Sequence, residues 1–282
     1  ARDYSLASYA SRRNRQTKFI VTRHVLFQLN RIHRHTLARA TRVIAVSQAV
    51  ANELRAQEIV SERQIAVVPN GIDVERFSRA RAGFDRAQFL RTMGLPANCL
   101  LVGSIGELRT LKRHDDFIRA AAMIVKQVPE TQFVLAGLDT SASGEVRSGL
   151  EKLVVESGLK DCFYFLGWLD EAERLMCALD VFVSASETES FGLVIAEAMA
   201  AGTAVVATET DGAKEVVEDQ RTGILVPIGD VEAMASAVID LLADSERRNA
   251  IGAYGKKMAT AKFSLKRMVD EIERIYATDE RD

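Results

Sequence analysis

Glu189 and Glu197 lie on either side of Phe191 and Gly192, in the segment whose residue types point most directly to chemistry. The segment follows an apolar run at residues 181–183 that predicts a buried strand, and a helix beginning near Gly192 would carry Glu197 in its second turn. The loop before a helix presents free backbone N–H groups and the positive end of the helix dipole to an anion. Carboxylates on both sides of such a loop can hold hydroxyl groups while the loop holds a phosphate. This layout suits a nucleotide sugar, with hydroxyls at both ends and a diphosphate in the middle.

A second candidate loop runs from Gly103 to Lys112 and also follows an apolar run. Glycine at a turn between strand and helix lets the backbone approach a phosphate, and Lys112 supplies a positive charge. An ordinary basic loop is the alternative interpretation. In open parallel sheets, ligands bind beyond the carboxyl ends of the strands, and both loops are expected at such ends.

Apolar runs alternate with helical patterns along most of the chain, which predicts an α/β fold with parallel sheets covered by helices on both faces. The region from residue 78 to about 262 contains six of the runs and is expected to form a complete doubly wound domain. The predicted strands are residues 18–22, 42–46, 65–68, 99–105, 132–136, 163–166, 181–183, 204–207 and 223–226. The predicted helices include residues 24–40, 114–126, 144–157, 192–201 and 264–276.

The segment Glu189-Ser-Phe-Gly-Leu-Val-Ile-Ala-Glu197 resembles the E-x7-E motif of the retaining glycosyltransferases of family four, which have the GT-B fold. Other segments follow the family pattern in the same order, and the similarity covers nearly the whole chain. They are Val68-Pro-Asn-Gly-Ile-Asp73 with Phe77, the loop ending at Lys112, Ala198-Met-Ala-Ala-Gly202 with Val205-Val-Ala207, and Thr222-Gly-Ile-Leu-Val-Pro227 with Asp230.

The resemblance implies roles for individual residues. Glu189 would hold the donor sugar near the reaction centre, Glu197 would hold the ribose hydroxyls, and backbone N–H groups at Phe191, Gly192 and Leu193 would face the diphosphate. The implied catalytic residues are Glu189, Lys112 and His24. The implied donor-binding residues are Gly106, Arg109, Lys112, Ser190, Phe191, Gly192, Leu193 and Glu197.

Two positions depart from the family pattern. Glu107 stands where the G-R-L-x-x-x-K loop has its arginine, and a carboxylate does not stabilise a diphosphate leaving group. Arg109 and Arg113 are the candidates to replace that arginine. Asp211 stands where the family's G-G-x-x-E turn has its first glycine. His24 follows a predicted strand, where a structural or solvated histidine is the alternative; His114, at the start of a predicted helix, is expected on the surface.

The turn signal at residues 70–73 predicts a domain boundary near residue 77. Residues 1–77 would form a partial acceptor-side, Rossmann-like domain, and residues 78–282 the donor-binding domain, ending in a helix that crosses back to the first domain. The resemblance implies that the early strands of the first domain are not represented here. A remnant of two or three strands buries little surface and is expected to be marginal alone.

The composition of the 282 residues, 48% hydrophobic and 27% charged, is ordinary for a soluble globular protein, and the net charge of −2 does not favour nucleic acid as a partner. Residues 1–42 are strongly basic, with ten Arg and Lys residues against Asp3. The basic helix predicted at residues 24–40 is interpreted as a core helix with a solvated face. Contact of residues 12–42 with a membrane surface or an anionic acceptor is the alternative.

Three cysteines show no metal-ligand spacing, and free thiols indicate a reducing compartment. The expected location is therefore the cytoplasm, with peripheral attachment at the inner face of the membrane as an option. We expect no metal and no cofactor, with a nucleotide diphosphate sugar as donor and a glycan or a lipid-linked molecule as acceptor.

The sequence thus predicts transfer of a sugar to an acceptor hydroxyl with retention of anomeric configuration. Two other classes stay open. One is a domain that binds nucleotide sugars without turnover, which Glu107 favours. The other is a different enzyme of the same fold, either a nucleotide-sugar epimerase or a glycan phosphorylase with pyridoxal phosphate on a lysine.

Overall fold

Helices and parallel strands alternate along the chain, whose computed structural model describes residues 4–12, 17–141 and 144–277. The strands are β1 (Ile20–Arg23), β2 (Arg42–Ala45), β3 (Ile65–Val67), β4 (Leu100–Ile105), β5 (Thr131–Ala136), β6 (Phe163–Gly167), β7 (Val181–Ser184), β8 (Ala204–Thr208) and β9 (Ile224–Val226). The helices are α1 (Tyr4–Arg12), α2 (Arg31–Leu37), α3 (Gln48–Ala56), α4 (Val74–Arg81), α5 (Arg86–Thr92), α6 (His114–Gln127), α7 (Glu145–Glu156), α8 (Ala172–Ala178), α9 (Leu193–Ala201), α10 (Asp211–Val216), α11 (Val231–Ala243), α12 (Ser245–Lys262) and α13 (Leu265–Ala277).

The chain divides into two compact units: unit 1 comprises Ala1–Gly71 with Leu265–Asp282, and unit 2 comprises Ile72–Ser264. The boundary predicted near residue 77 falls inside α4. That helix groups with unit 2 because Phe77 is buried, Arg76 forms a 2.6 Å ion pair with Glu173, and Arg81 donates a 3.0 Å hydrogen bond to the Cys177 carbonyl.

Helix α13, expected to end the 78–282 domain and to cross back to the first domain, groups with unit 1. The N–H of Gly71 donates to the Met268 sulfur at 3.1 Å, and the Lys18 ammonium donates to the Tyr276 carbonyl at 2.8 Å. A Cβ added at Gly71 would lie 2.7 Å from the Leu265 Cα, so the helix passes directly over this glycine. Contacts with Gly71 and Lys18, both in unit 1, therefore decide where this helix belongs.

Unit 1 contains a three-stranded parallel sheet in the order β1-β2-β3. The central strand is its apolar core, with Val43, Ile44 and Ala45 buried. The predicted helix over residues 24–40 is wrong in extent: only Arg31–Leu37 is helical. The Asn30 side chain caps this helix by accepting a hydrogen bond from the His33 N–H at 2.9 Å. Because an N-cap residue has a non-helical backbone, the helix begins after Asn30 and does not extend back to residue 24.

Unit 2 contains a six-stranded parallel sheet in the order β6-β5-β4-β7-β8-β9, which confirms the predicted doubly wound domain. The order reverses between β4 and β7, whose register pairs Val102 with Val181. Side chains alternate between the two faces. Val102 and Val181 face a core shared with Phe117 of α6, while Phe182 lies on the opposite face. The last two strands, β8 and β9, are also parallel to their neighbours.

Helix α9 is buried on most sides, which its sequence anticipates. Small and apolar residues surround its axis, including the buried Ile195, Ala196, Ala198 and Met199. A helix that is apolar all round belongs in an interior. Its close packing brings the one acidic residue of the helix, Glu197, into a partly buried position.

Three phenylalanines fill the core between α6 and the sheet. The Phe117 ring lies 6.3 Å from Phe133 and 5.6 Å from Phe163, measured between centroids. The Phe133 and Phe163 rings are stacked at 6.2 Å. These rings come from three separate elements, so their packing fixes the helix on the sheet.

None of the helices in the described part of the chain is long and apolar enough to cross a membrane.

Replacement of Phe117 by Ala should destabilise unit 2 by about 3–5 kcal/mol, because it removes a fully buried ring and leaves a cavity. Denaturant unfolding monitored by circular dichroism measures the loss. Val155→Ala, at an exposed position of α7, is the control and should change stability by less than about 0.5 kcal/mol. Equal effects of the two substitutions would contradict this account of the core.

Candidate donor site

The ends of β4 and β7 meet at the point where the strand order reverses, and each is followed by a loop that carries charged residues. The loop after β4 contains Gly106 and Lys112, and the loop after β7 contains Glu189. The backbone N–H of Glu187 donates to the Leu111 carbonyl at 2.9 Å, which joins the two loops. The predicted location of both loops at strand ends is therefore correct.

Lys112 and Glu189 form an ion pair at the centre of this site. The Lys112 ammonium donates to Glu189 Oε1 at 2.6 Å. The exposed fractions of the two side chains are 28% and 13%, so the pair is largely withdrawn from water but still partly exposed. Ser186, which is buried, donates its hydroxyl to the same oxygen at 2.7 Å. Glu189 is thus oriented by two donors on Oε1.

The lysine is positioned by a short 3-10 turn over Thr110–Lys112 and by Arg113, which has a left-handed backbone with a φ of 47°. A Cβ added at Gly106 would lie 3.8 Å from the Lys112 Cε, in ordinary van der Waals contact. The Gly106 N–H already donates to the Ala136 carbonyl at 2.9 Å, so what the glycine contributes beside the lysine is the absence of a side chain.

Two glycines position the Glu189 loop. Gly192 precedes α9 with a φ of +89°, a conformation that side-chain-bearing residues rarely adopt. The N–H of Gly212 donates to the Glu189 carbonyl at 3.1 Å, and a Cβ there would lie 2.6 Å from that oxygen and 2.7 Å from the Phe191 nitrogen. Only glycine allows this close approach without moving the loop.

The start of α9 provides backbone donors. The first helical hydrogen bond runs from the Ala196 N–H to the Gly192 carbonyl at 3.1 Å, so the N–H groups before Ala196 have no partner within the helix. The Phe191 ring packs against Phe263 at 5.4 Å between centroids, and both Phe191 and Gly192 are buried. Leu193 is exposed.

Glu197 lies in the second turn of α9, as predicted. Burial raises the pKa of its carboxyl group, the nearby Arg76 charge opposes that shift, and the Glu173 charge adds to it. The structure gives Glu197 no hydrogen-bond partner among the residues that it describes. A carboxylate in this state has unused capacity to accept hydrogen bonds from a ligand's hydroxyl groups.

The two arginines that could replace the family arginine differ in their partners. Arg109 pairs with Glu107 at 3.3 Å, and both side chains are more than half exposed. Arg113 pairs with Asp116 at 2.6 Å, and the Asp116 side chain is only 3% exposed. Arg109 is therefore the less constrained of the two.

His114 corrects the sequence interpretation, which expected a surface residue. Its side chain is 4% exposed, and its Nε2 lies 3.1 Å from the Glu107 carbonyl oxygen. Burial lowers its pKa to about 4, so the ring is neutral near pH 7. It lies at the start of α6 facing the core, which a lone polar residue in the sequence does not reveal.

His24 directly follows β1 in unit 1 and is exposed, whereas the other predicted site residues belong to unit 2. The structure brings Lys112 and Glu189 into contact and places Ser190 in the loop between Glu189 and α9.

Ser186, Arg76 and Glu173 were missed by sequence reasoning. Ser186 could have been found, because a serine three residues before a loop glutamate is well placed to orient it. The Arg76–Glu173 pair joins α4 and α8, and no local pattern signals it. Among the described residues, no group of three or more His, Cys, Asp or Glu could hold a metal ion.

Residues 85–258 match the family model described as glycosyl transferases group 1, and residues 1–76 match the model described as glycosyltransferase family 4. The D-inositol 3-phosphate glycosyltransferase of Corynebacterium jeikeium is 35% identical over 218 residues, which cover 75% of this chain and 51% of that protein. The lipopolysaccharide core biosynthesis mannosyltransferase LpcC of Rhizobium leguminosarum is 30% identical, over 95% of this chain and 77% of that protein.

A crystal structure of HepE from Anabaena in complex with UDP-glucose has a TM-score of 0.86 and 25% identity, with coverage of 98% of this chain and 76% of that one. The chain spans about half the length of the first curated relative. The matching family models, the relatives and the parallel-sheet architecture agree: the chain belongs to the glycosyl transferases group 1 family, and its fold class is that of the GT-B glycosyltransferases.

Proposed function

We propose that this chain binds a nucleoside diphosphate sugar in unit 2 and transfers the sugar to an acceptor hydroxyl with retention of anomeric configuration. The observation that carries the proposal is the Lys112–Glu189 pair at the strand-order reversal, beside the N-terminus of α9. The relatives named as glycosyltransferases and the HepE structure with UDP-glucose support the same donor class.

The donor's diphosphate would lie between Lys112 and the backbone N–H groups at Phe191, Gly192 and Leu193. Lysine is a compact positive charge, and a helix N-terminus favours anions through its free donors and its dipole. Gly106, which has no side chain beside Lys112, would leave room for the diphosphate on the side of the opposite loop.

The two glutamates would hold the two ends of the donor. Glu189 would accept hydrogen bonds from the sugar hydroxyls, with Ser190 beside it and Ser186 fixing its orientation. Glu197, which has no hydrogen-bond partner among the described residues, would accept from the ribose hydroxyls.

We assign the chemistry to the front face of the sugar. The bond from the anomeric carbon to the diphosphate oxygen breaks, the acceptor oxygen forms its bond on the same face, and the acceptor's proton passes to the leaving diphosphate. Lys112 would stabilise the charge that develops on the diphosphate. Neither a metal ion nor a cofactor takes part in this scheme.

Arg109 would supply the second positive charge. Its contact with Glu107 is long and solvent-exposed, and such pairs contribute little, so a diphosphate could draw the guanidinium away. Arg113 is less suited, because its 2.6 Å partner Asp116 is nearly buried and would keep only its 3.1 Å contact with Arg119.

The acceptor would be a glycan or a lipid-linked molecule, in keeping with a relative named for lipopolysaccharide core biosynthesis. For His24 of unit 1 we keep the catalytic role that the family resemblance implies. The basic residues 12–42 would contact an anionic acceptor or a membrane surface at the inner face of a cytoplasmic membrane; residues 13–16 lie outside the described part of the chain.

A second candidate function is binding of a nucleotide sugar without turnover. Glu107, an exposed carboxylate in place of the family arginine, favours it because a negative charge there opposes the leaving group.

Melting temperature measured with UDP, GDP and ADP should rise with one of the three. A ligand at 100 times its dissociation constant adds about 2.7 kcal/mol, which corresponds to roughly 5–10 °C for a chain of this size. Glu197→Ala should abolish the shift. Glu187→Ala removes an exposed carboxylate from the loop that carries Glu189; it is the control and should retain the shift. No shift with any nucleotide would contradict the donor site.

Incubation with the α-linked donor of the nucleotide so identified should give an α-configured product, detected by NMR of the anomeric proton. A β-configured product would refute the front-face scheme. Donor binding with neither transfer nor donor hydrolysis would support the second candidate function.

Glu197→Gln should raise the melting temperature of the ligand-free protein at pH 8, and the gain should shrink toward pH 5. Because burial raises the pKa of Glu197, the stability that its proton confers is present below its ordinary pKa of about 4.3 and is lost as pH rises through the folded-state value. Glutamine has no such proton to lose. Glu187→Gln should show no pH-dependent gain, and a gain for Glu197→Gln that stays constant with pH would contradict the interpretation.

A further inference from the structure

Thr208 is the last residue of β8, and its side chain is buried. Its hydroxyl donates to the Ser186 carbonyl at 2.6 Å and lies 3.3 Å from the Ser184 carbonyl. Strands β7 and β8 are parallel neighbours whose register pairs Ser184 with Ala207, so a residue at the end of β8 can reach the chain beyond β7. A buried hydroxyl needs a hydrogen-bond partner. Thr208 finds its partner in the loop that carries Glu189.

Two neighbours hold the backbone of the short segment between Ser186 and Glu189. Thr208 holds the carbonyl of its first residue, and the Gly212 N–H donates to the carbonyl of its last residue at 3.1 Å. Both anchors come from the connection between β8 and α10. Across the segment, the Ser186 hydroxyl donates to Glu189 Oε1 at 2.7 Å. The orientation of this carboxylate therefore depends on where the Ser186 backbone is held.

We propose that Thr208 is a positioning residue for Glu189. By fixing the Ser186 backbone, it sets the point from which the Ser186 hydroxyl holds the carboxylate against Lys112. The inference rests on the proposed function, because it takes Glu189 as the residue that holds the donor sugar. Thr208 acts through Ser186 and touches neither the sugar nor the diphosphate. Without its hydroxyl, the carboxylate would lose its single orientation, and the sugar would lose its alignment with the acceptor.

A second buried threonine, Thr203, allows this positioning role to be separated from a purely structural one. It lies at the opposite end of β8, immediately before Ala204, and its hydroxyl donates to the Met176 carbonyl at 2.5 Å. Loss of either threonine hydroxyl takes a hydrogen bond from a carbonyl in the interior, which reduces stability. Only the loss at Thr208 should also affect the donor sugar.

Thr208→Val removes the hydroxyl and keeps a side chain of similar size. Calorimetry would compare each nucleoside diphosphate with a sugar-bearing counterpart: UDP with UDP-glucose, GDP with GDP-mannose, and ADP with ADP-glucose. For the pair that binds the parent protein, the variant should raise the dissociation constant of the nucleotide sugar about tenfold. The dissociation constant of the nucleoside diphosphate should stay unchanged, because only the sugar contacts Glu189. Release of nucleoside diphosphate at saturating donor should slow by up to about 100-fold, the cost of a small misplacement at a reacting group.

Three further variants test the route through Ser186. Ser186→Ala should reproduce the pattern without changing Thr208, and it carries the test alone if Thr208→Val does not fold. The double variant should bind the nucleotide sugar no more weakly than either single variant, because both substitutions break one chain of contacts. Thr208→Ser, which keeps the hydroxyl, should restore both affinity and rate.

Thr203→Val is the matched control. It should lower the melting temperature about as much as Thr208→Val does and leave both dissociation constants unchanged. Equal weakening of nucleotide-sugar binding by the two substitutions would overturn the positioning role, because lost stability would then explain both. Nucleotide-sugar binding as tight in Thr208→Val as in the parent would overturn it as well.

The failures of the two proposals are distinguishable. Either result against Thr208 would leave the donor site standing. A parent protein that binds a nucleotide sugar and releases no nucleoside diphosphate would overturn the transfer reaction, while the binding comparison would still decide the role of Thr208. Absence of binding by every nucleotide and nucleotide sugar in the parent would overturn both proposals.

Discussion

The ion pair between Lys112 and Glu189 is the interaction on which the candidate site depends, and it depends in turn on the sheet of unit 2. The two residues are 77 positions apart and meet because β4 and β7 are neighbours where the strand order reverses. Opposite charges withdrawn from water are stable only with good geometry and with their other hydrogen-bonding capacity satisfied. The Ser186 hydroxyl donates a second hydrogen bond to the Glu189 oxygen that accepts from the lysine, and so satisfies part of the carboxylate's hydrogen-bonding capacity. Without ligand the pair neutralises itself, and a diphosphate would have to compete with Glu189 for the lysine.

Close backbone approach gives the rest of the site its shape. The Gly212 backbone lies against the Glu189 loop, and the left-handed Gly192 turns the chain into α9. These contacts are made by backbone atoms, which do not change rotamer. The donors at the start of α9 are therefore oriented before any ligand arrives, and preorganised donors are the effective ones for stabilising developing charge.

The same region carries groups that a purely structural domain would avoid. Glu197 is partly buried with no hydrogen-bond partner among the described residues, and the His114 Nδ1 is buried and unpartnered within that same part of the chain. Polar groups in this state reduce stability. Proteins tolerate such costs most often where function requires them. For Glu197 the proposed ribose contact gives a reason; for His114 the structure offers none.

The sequence by itself determined the strands and much of the local site. Each predicted strand overlaps an observed one, because strands buried in parallel sheets are nearly continuous apolar runs that need no distant information. The start of α9 near Gly192 was likewise predicted from local residue types. Once that start is known, helix geometry places Glu197 in the second turn.

Only the tertiary structure decided which residues meet. It shortened the basic helix to Arg31–Leu37, buried His114 and joined Arg76 to the neighbourhood of Glu197. Each of these outcomes depends on contacts between segments far apart in the chain, or on a single capping hydrogen bond, as at Asn30. Periodicity and motif spacing describe neighbours along the chain, whereas burial and pairing are set by neighbours in space.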